Sequence, residues 1–401
     1  MIIRARVVVT MDGPPIENGA VAIAGEQIAG VGTVAEIRAH HGGEEIDLGE
    51  QALLPGLINT HCHLDYTCLR SRIAGQETFT DWIRAINAEK SKLSEEDYLR
   101  SIHDGFQEAK RFGTTAIANL EAFPELVRKV HEPLRTWWFA ELIDFRTPAR
   151  AQEIAGRAID SLSAVRHRGL APHAPFTASG NLYSYSADLA QRTEISLTTH
   201  VGESAEEMAM FHNRSGALYE FMEEMGRDMT DCGRETPLSH FLKSAFPGEP
   251  WLVAHLNELA ESDWELLARS TLDLHIVHCP RSHKYFRHTP FQFERLRQFG
   301  FNISLGTDSL ASNDDLSLFA EMREFRKTFP EASGEEILAM VTRNPATALG
   351  EADSLGRIGP NYLADLIAVP SAGPEKTVYE EIISFAGSFP WTMVGGKAAE
   401  T

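Results

Sequence analysis

Eight short runs of apolar and β-branched residues, each followed by a charged stretch with helical spacing, limit what this chain can fold into more than any other feature. The runs lie near residues 53–61, 114–119, 136–142, 169–174, 195–201, 251–256, 274–279 and 302–307. They read LLPGLINTH, TTAIAN, TWWFAEL, GLAPHA, ISLTTHV, WLVAHL, LHIVHC and NISLGT. The intervening stretches, such as EEDYLRSIHDGFQEAKRFG, carry apolar residues at helical spacing, and several end in Gly or Pro. Strands alternating with helices pair in parallel through right-handed crossovers. Eight such units match an α/β fold of the (β/α)8 TIM-barrel type in count and size. A doubly wound open sheet is the alternative that the same alternation permits. The gap between the fifth and sixth runs is long enough to require an insertion with more than one helix.

The two ends of the chain follow a different rule. Residues 1–52 and 353–401 alternate apolar and polar residues between turn signals, as in GAVAIAGEQIAGVG and LADLIAVP. They are expected to combine into one small β-sandwich domain beside a catalytic barrel spanning 53–352. The formal net charge is −20, which repels phosphate backbones and anionic membranes, so neither nucleic acid nor a membrane is an expected partner. The opening MIIRARVVVTMDGPP reads as a strand and turn rather than a signal peptide. No apolar run approaches the ~20 residues of a membrane span. The 4 cysteines form no CxxC pair, which suits a reducing, cytoplasmic setting.

In a parallel barrel the catalytic mouth lies where the strands end. The first run ends in His61 and His63, two positions apart and hence on one side of a strand. The fifth ends at His200, with Glu203 just beyond. The sixth ends at His255 and the eighth at Asp308, while the fourth and seventh carry His173 and His278. One strand histidine is ordinarily a satisfied core residue. Histidines at several strand ends, with an aspartate on the last, are hard to explain by packing. Neutral imidazoles with one carboxylate suit Zn2+ or Fe2+.

The motifs PGLINTHCHL (55–64), APHAPFT (171–177), THVGES (199–204), VAHLNEL (253–259), VHCPRSH (277–283) and LGTDSLASND (305–314) occur in this order. With them the chain resembles the amidohydrolase superfamily, in its branch of mononuclear aminohydrolases and chlorohydrolases. That branch includes guanine, cytosine and S-adenosylhomocysteine or methylthioadenosine deaminases, and the triazine hydrolases. GAVAIAGEQIAGVG (19–32) and LGRIGPNYLADLIAV (355–369) are similar to the strands of its small β-domain. The resemblance implies His61, His63, His200 and Asp308 as ligands of a divalent metal, Zn2+ first and Fe2+ second. It implies Glu203 and His255 as an acid–base pair. Binuclear members place a carboxylated lysine at the end of the fourth strand. GLAPHAPFT has none, which favours one ion.

These roles agree with elementary chemistry. A bound divalent ion lowers the pKa of its water to roughly 7. Asp308 and His255 can take the proton of that water, and Glu203 can protonate a ring nitrogen and then the departing ammonia. Other residues are candidates for substrate contact: His173 by hydrogen bonding, Trp82 and Phe79 by covering an aromatic ring, and Arg146 or Arg150 by gripping a carboxylate or ribose. For the aromatics, packing of an amphipathic helix is the plainer explanation, and for the arginines a solvated helix start is equally good. His283 stands where the family usually has asparagine, a departure that bears on the substrate pocket. Cys279-Pro280 after His278 could simply end a strand. Asp65 and Cys62 are taken as structural.

The expected activity is hydrolytic deamination of a small aminated heterocycle. The first candidate is a 6-aminopurine nucleoside derivative of the methylthioadenosine, S-adenosylhomocysteine or aminodeoxyfutalosine type. Triazine dechlorination, guanine, cytosine or pterin deamination and cyclic amide hydrolysis are the alternatives on the same site. A non-catalytic scaffold is opposed by the retention of all six polar residues at the strand ends. A small heterocycle is the expected partner, and a homodimer the candidate assembly.

Overall fold

In the computed structural model eight parallel strands close into a barrel. They are Leu57–His63, Thr114–Glu121, Arg135–Leu142, His167–Pro172, Ser196–Val201, Trp251–His255, Leu274–His278 and Asn302–Leu305. Each pairs with the next in chain order. The seam between the last and first strands is closed by a two-residue strand, Asp308–Ser309, with Asp308 opposite Cys62. Below it the Thr60 hydroxyl donates to the Leu305 carbonyl at 2.9 Å, and the Thr307 amide to the His61 carbonyl at 3.0 Å. The structure describes residues 1–246, 248–373, 375–387, 389 and 391–399. The last two positions of the expected 353–401 segment therefore lie outside the described residues.

Helices cover the barrel because their sequences hide one face. In Glu95–Arg111 the Ser94 and Asp97 side chains form a reciprocal cap at the N-terminus, with acidic residues in the first turn and basic ones in the last. Tyr98, Ile102, Phe106 and Ala109 recur at helical spacing and are buried. Covering Ile102 and Phe106 contributes about 1.5–3 kcal/mol each. Among the described residues the insertion between the fifth and sixth strands holds three helices, Ala205–Asn213, Ala217–Glu224 and Pro237–Ser244.

One predicted strand divides in two. Gln51–Pro55 belongs to the sheet built from the chain ends, antiparallel to Leu366–Pro370 and beside Ile2–Val8. Only Leu57–His63 enters the barrel. Gly56 is the crossing point: a Cβ there would lie 2.1 Å from the Thr115 hydroxyl oxygen, so no larger residue fits. The small β-sandwich domain contains strands from both termini in one hydrogen-bonded path, running from Lys397–Ala399 to Gln27–Thr33. Ile3, Val8, Val21, Leu53, Leu366 and Met393 form its core. Asp365, 3% exposed, ties the domain to the barrel through Arg135 at 2.6 Å. No helix among the described residues is long and apolar enough to cross a membrane.

Candidate metal centre and active site

The pleat of the first strand turns His61 and His63 to the barrel interior and Cys62 to the opposite, apolar layer with Leu64 and Phe106. The two imidazole rings are 5.1 Å apart, centre to centre. The fifth strand brings His200 to 4.8 Å from His61 and 5.6 Å from His63. Register between the fifth and sixth strands sets Val201 beside His255, whose ring lies 5.3 Å from that of His200. The closing strand places Asp308 Oδ1 3.7 Å from His61 Nε2 and 3.8 Å from His63 Nε2. Donors on a tetrahedral zinc ion at 2.0–2.1 Å stand ~3.4 Å apart, so these separations approach a coordination sphere. His61, His63 and His200 offer nitrogens within 4.8 Å of one another, and Glu203, His255 and Asp308 do the same with their own donor atoms.

Burial sets the charge states. Exclusion from water, with repulsion from His200, pushes the His61 pKa down to about 3. His200 falls to about 4 for the same leading reason. His63 and His255 lie well below the usual value, again through burial. All four imidazoles are therefore neutral at pH 7, each with a lone pair to give. The short contact of His200 Nδ1 with the His173 carbonyl, 2.8 Å, assigns Nδ1 as the donor and leaves Nε2 free. His63 Nδ1 faces Glu141 Oε1 at 4.0 Å. Both His61 nitrogens are sealed from solvent with no hydrogen-bond partner. An unsatisfied buried polar group costs about 1–3 kcal/mol, a cost that a cation among these donors removes. The residues present thus fit a divalent ion.

The acidic groups divide into two kinds. Asp308 Oδ2 accepts from the Ser282 hydroxyl at 2.6 Å and Oδ1 from the Ser309 amide at 2.7 Å. Glu203 sits 3.8 Å from His255 Nε2, and burial, then the charges of Asp308 and Glu207, holds its pKa well above the usual carboxyl range. Burial thus favours its protonated form. His255 and Asp308 both have positive φ, +73° and +58°. Such backbone costs a non-glycine residue about 1–3 kcal/mol and is tolerated where the surroundings impose it.

A cavity opens from these residues towards the barrel mouth. Of the predicted substrate contacts, His173 and Trp82 line it, together with Phe79. Arg146 does not. Its Nε donates to the Met225 carbonyl at 3.0 Å, and its guanidinium lies over Phe145, so it backs the wall that Phe145 and Met225 form. Nor does His283, whose Nε2 lies 2.9 Å from the Thr289 carbonyl and whose ring meets His278 edge-on. Arg150 is engaged by Glu153 at the exposed start of a helix. His278 is buried, stacked on Phe291 at 4.0 Å, outside the cavity lining. Sequence reading passed over Tyr66, Lys90 and Glu141, which all line the cavity. Glu141 carried a signal: a carboxylate near the end of the otherwise apolar TWWFAEL. Asp65 is fully buried. Burial, then the nearby Glu141, raises its pKa to about 8.

Residues 52–398 match the model of the amidohydrolase family. A 5-methylthioadenosine/S-adenosylhomocysteine deaminase of Syntrophobacter fumaroxidans is 29% identical, over 92% of this chain and 84% of that one. A 5'-deoxyadenosine deaminase of Methanothermobacter thermautotrophicus is 27% identical over the same shares. A zinc-bound adenosine deaminase structure from Xanthomonas campestris superposes with a TM-score of 0.81 at 25% identity, covering 99% of this chain and 92% of that one. The fold of Helicobacter pylori aminofutalosine deaminase, solved with methylthio-coformycin, superposes with a TM-score of 0.89 at 20% identity over both whole chains.

Proposed function

Since the chain belongs to the amidohydrolase family, we propose that it is a metal-dependent hydrolytic deaminase of a small amino-heterocycle, with a 6-aminopurine nucleoside derivative as the first substrate class. The observation that carries the reading is the gathering of His61, His63 and His200, with Asp308 Oδ1 3.7 and 3.8 Å from the first two and the buried Glu203 beside His255. The names borne by the nucleoside-deaminating relatives support the substrate class.

His61, His63, His200 and Asp308 would hold one ion, with zinc the first choice for neutral nitrogen donors and a carboxylate. The ion supplies Lewis-acid activation of water. Asp308 and His255 would receive the proton that the attacking water loses. Glu203, whose protonated form burial favours, would deliver a proton to the ring nitrogen next to the carbon under attack. That nitrogen gains basicity as the carbon becomes tetrahedral, and Glu203 would then relay a proton to the departing ammonia. Positioned proton transfers of this kind contribute about 10²–10⁴-fold. His173, its Nδ1 2.6 Å from the Thr177 hydroxyl, would present its other edge to the heterocycle. Four cysteines without disulfides suit a reducing compartment such as the cytoplasm.

The test is ammonia release by zinc-loaded protein from a panel of aminopurine nucleosides, guanine, cytosine, pterins and a chlorotriazine. Turnover of adenine nucleosides is expected. Halide release, or lactam opening without ammonia from any amino-heterocycle, would remove the deaminase reading. Asp308→Ala is expected to lower both bound metal and rate, the metal being read by elemental analysis.

A further inference from the structure

Two buried side chains that the proposed chemistry does not use hold the backbone of Glu203 from opposite sides. The Glu203 amide donates to Glu207 Oε2 at 2.9 Å, and the Glu203 carbonyl accepts from Asn257 Nδ2 at 3.0 Å. Glu207 is 0% exposed and Asn257 1%. The amide belongs to the peptide unit before the Glu203 Cα and the carbonyl to the unit after it. Peptide units are planar, so holding both restricts the two backbone dihedrals of Glu203, and with them the direction of its Cα–Cβ bond. Side-chain rotation alone is then left to aim the carboxyl.

Asn257 reaches that carbonyl through the turn after the sixth strand. His255 and Leu256 both have positive φ, +73° and +49°. Beyond them the Leu256 amide donates to the Val201 carbonyl at 2.9 Å and the Glu258 amide to the Gly202 carbonyl at 2.8 Å, so the segments after the fifth and sixth strands run side by side. Gly202 has a φ of +58°, and a Cβ there would lie 2.8 Å from the Glu258 carbonyl oxygen, so this approach requires glycine. Glu207 lies in the first turn of the helix Ala205–Asn213, and its own amide donates to the Ser204 hydroxyl oxygen at 3.2 Å. In an ordinary capping box the acid takes the amide of the cap residue, whereas Glu207 reaches one residue further back, to Glu203. A misplacement of about 1 Å at a reacting group can cost ~10²-fold in rate. We infer that Asn257 and Glu207 are positioning residues that together fix the Glu203 carboxyl against His255 Nε2, where it stands at 3.8 Å. The inference rests on the proposed proton-transfer role of Glu203 and adds what aims it. The plainer role, a satisfied buried carbonyl and a capped helix, predicts lost stability with kcat and KM of the folded enzyme unchanged.

The experiment uses zinc-loaded full-length protein and the adenine nucleoside of the panel that it turns over fastest. Asn257→Leu and Glu207→Leu remove the two holds at similar volume. Each is expected to lower kcat roughly 10–100-fold while KM changes less than about threefold, with full zinc content by elemental analysis. Glu207→Gln keeps an acceptor and should recover most of the rate lost in Glu207→Leu. Added to Glu203→Gln, Asn257→Leu should lower kcat less than about twofold further, because the acidic proton that it aims is already gone. A loss in KM or in bound zinc instead of kcat, or the same loss in both backgrounds, overturns the inference. If Asn257→Leu does not fold, Asn257→Asp, which keeps the shape and loses the donor, carries the same comparisons. Absence of ammonia from every compound overturns the deaminase reading instead. Crystal structures of the zinc-loaded Asn257 and Glu207 variants then decide the positioning role alone. A Glu203 carboxyl displaced from His255 is expected, and one that keeps its place in both variants overturns the inference.

Discussion

At the scale of residues, the centre separates a group that binds metal from one that moves protons. Glu203 sits 3.8 Å from His255 Nε2, and burial raises its pKa well above the usual carboxyl range. Glu203→Gln keeps the volume and one hydrogen-bonding edge but has no acidic proton. It is expected to retain the bound ion, by elemental analysis, while kcat falls about 10²–10⁴-fold. Full activity in this variant would exclude Glu203 from proton transfer. Ser282 acts at one remove. Its hydroxyl donates to Asp308 Oδ2 at 2.6 Å and fixes which oxygen faces the histidines. Ser282→Ala is expected to weaken metal retention or activity by about 10–100-fold, measured by competition with a chelator of known affinity. An unaltered affinity together with an unaltered rate would show that Asp308 needs no such support.

Among the elements, strand ends were readable from sequence because a period of two fixes sidedness without knowledge of the partner strand. His-x-His announces two inward groups wherever the barrel lies. The division at Gly56 was not readable, since it depends on Thr115 in a different strand. Arg146 and Lys90 show the same limit on helices and loops. Whether a long cation faces a cavity or its outer wall is decided by the neighbouring helix Ala217–Glu224 and its C-terminal Met225, far away in sequence. The helix Ala205–Asn213 carries a second buried acid, Glu207, whose pKa burial raises to about 8. A carboxyl that binds its proton more tightly when folded costs no stability below its ordinary pKa of about 4.5. The cost grows as pH rises towards 8. The urea midpoint of the protein should therefore fall between pH 6 and 8.5, and fall less in Glu207→Gln. Parallel curves for the two proteins would exclude Glu207 as a source of the slope.

For the whole molecule, the C-terminal segment and the barrel are bound together by the pair of Arg135 with the buried Asp365. Asp365 also accepts from the Gly395 amide at 2.7 Å, so one carboxylate joins the third barrel strand to the two terminal strands it touches. Asp365→Ala leaves Arg135 half-buried without its partner and should lower unfolding stability by about 3 kcal/mol, read by denaturant titration. A loss under 1 kcal/mol would place the coupling of the two domains in apolar contacts instead. Barrel closure has a further consequence. The ligands at one end of the site sit on the first strand, and Asp308 sits on the segment that seals the seam against it. A ribosome making this chain thus builds most of the protein around an incomplete centre. Competence comes at a stroke, when the segment bearing Asp308 has emerged and docked, and a nascent fragment that stops short of it has neither a sealed barrel nor a working catalyst.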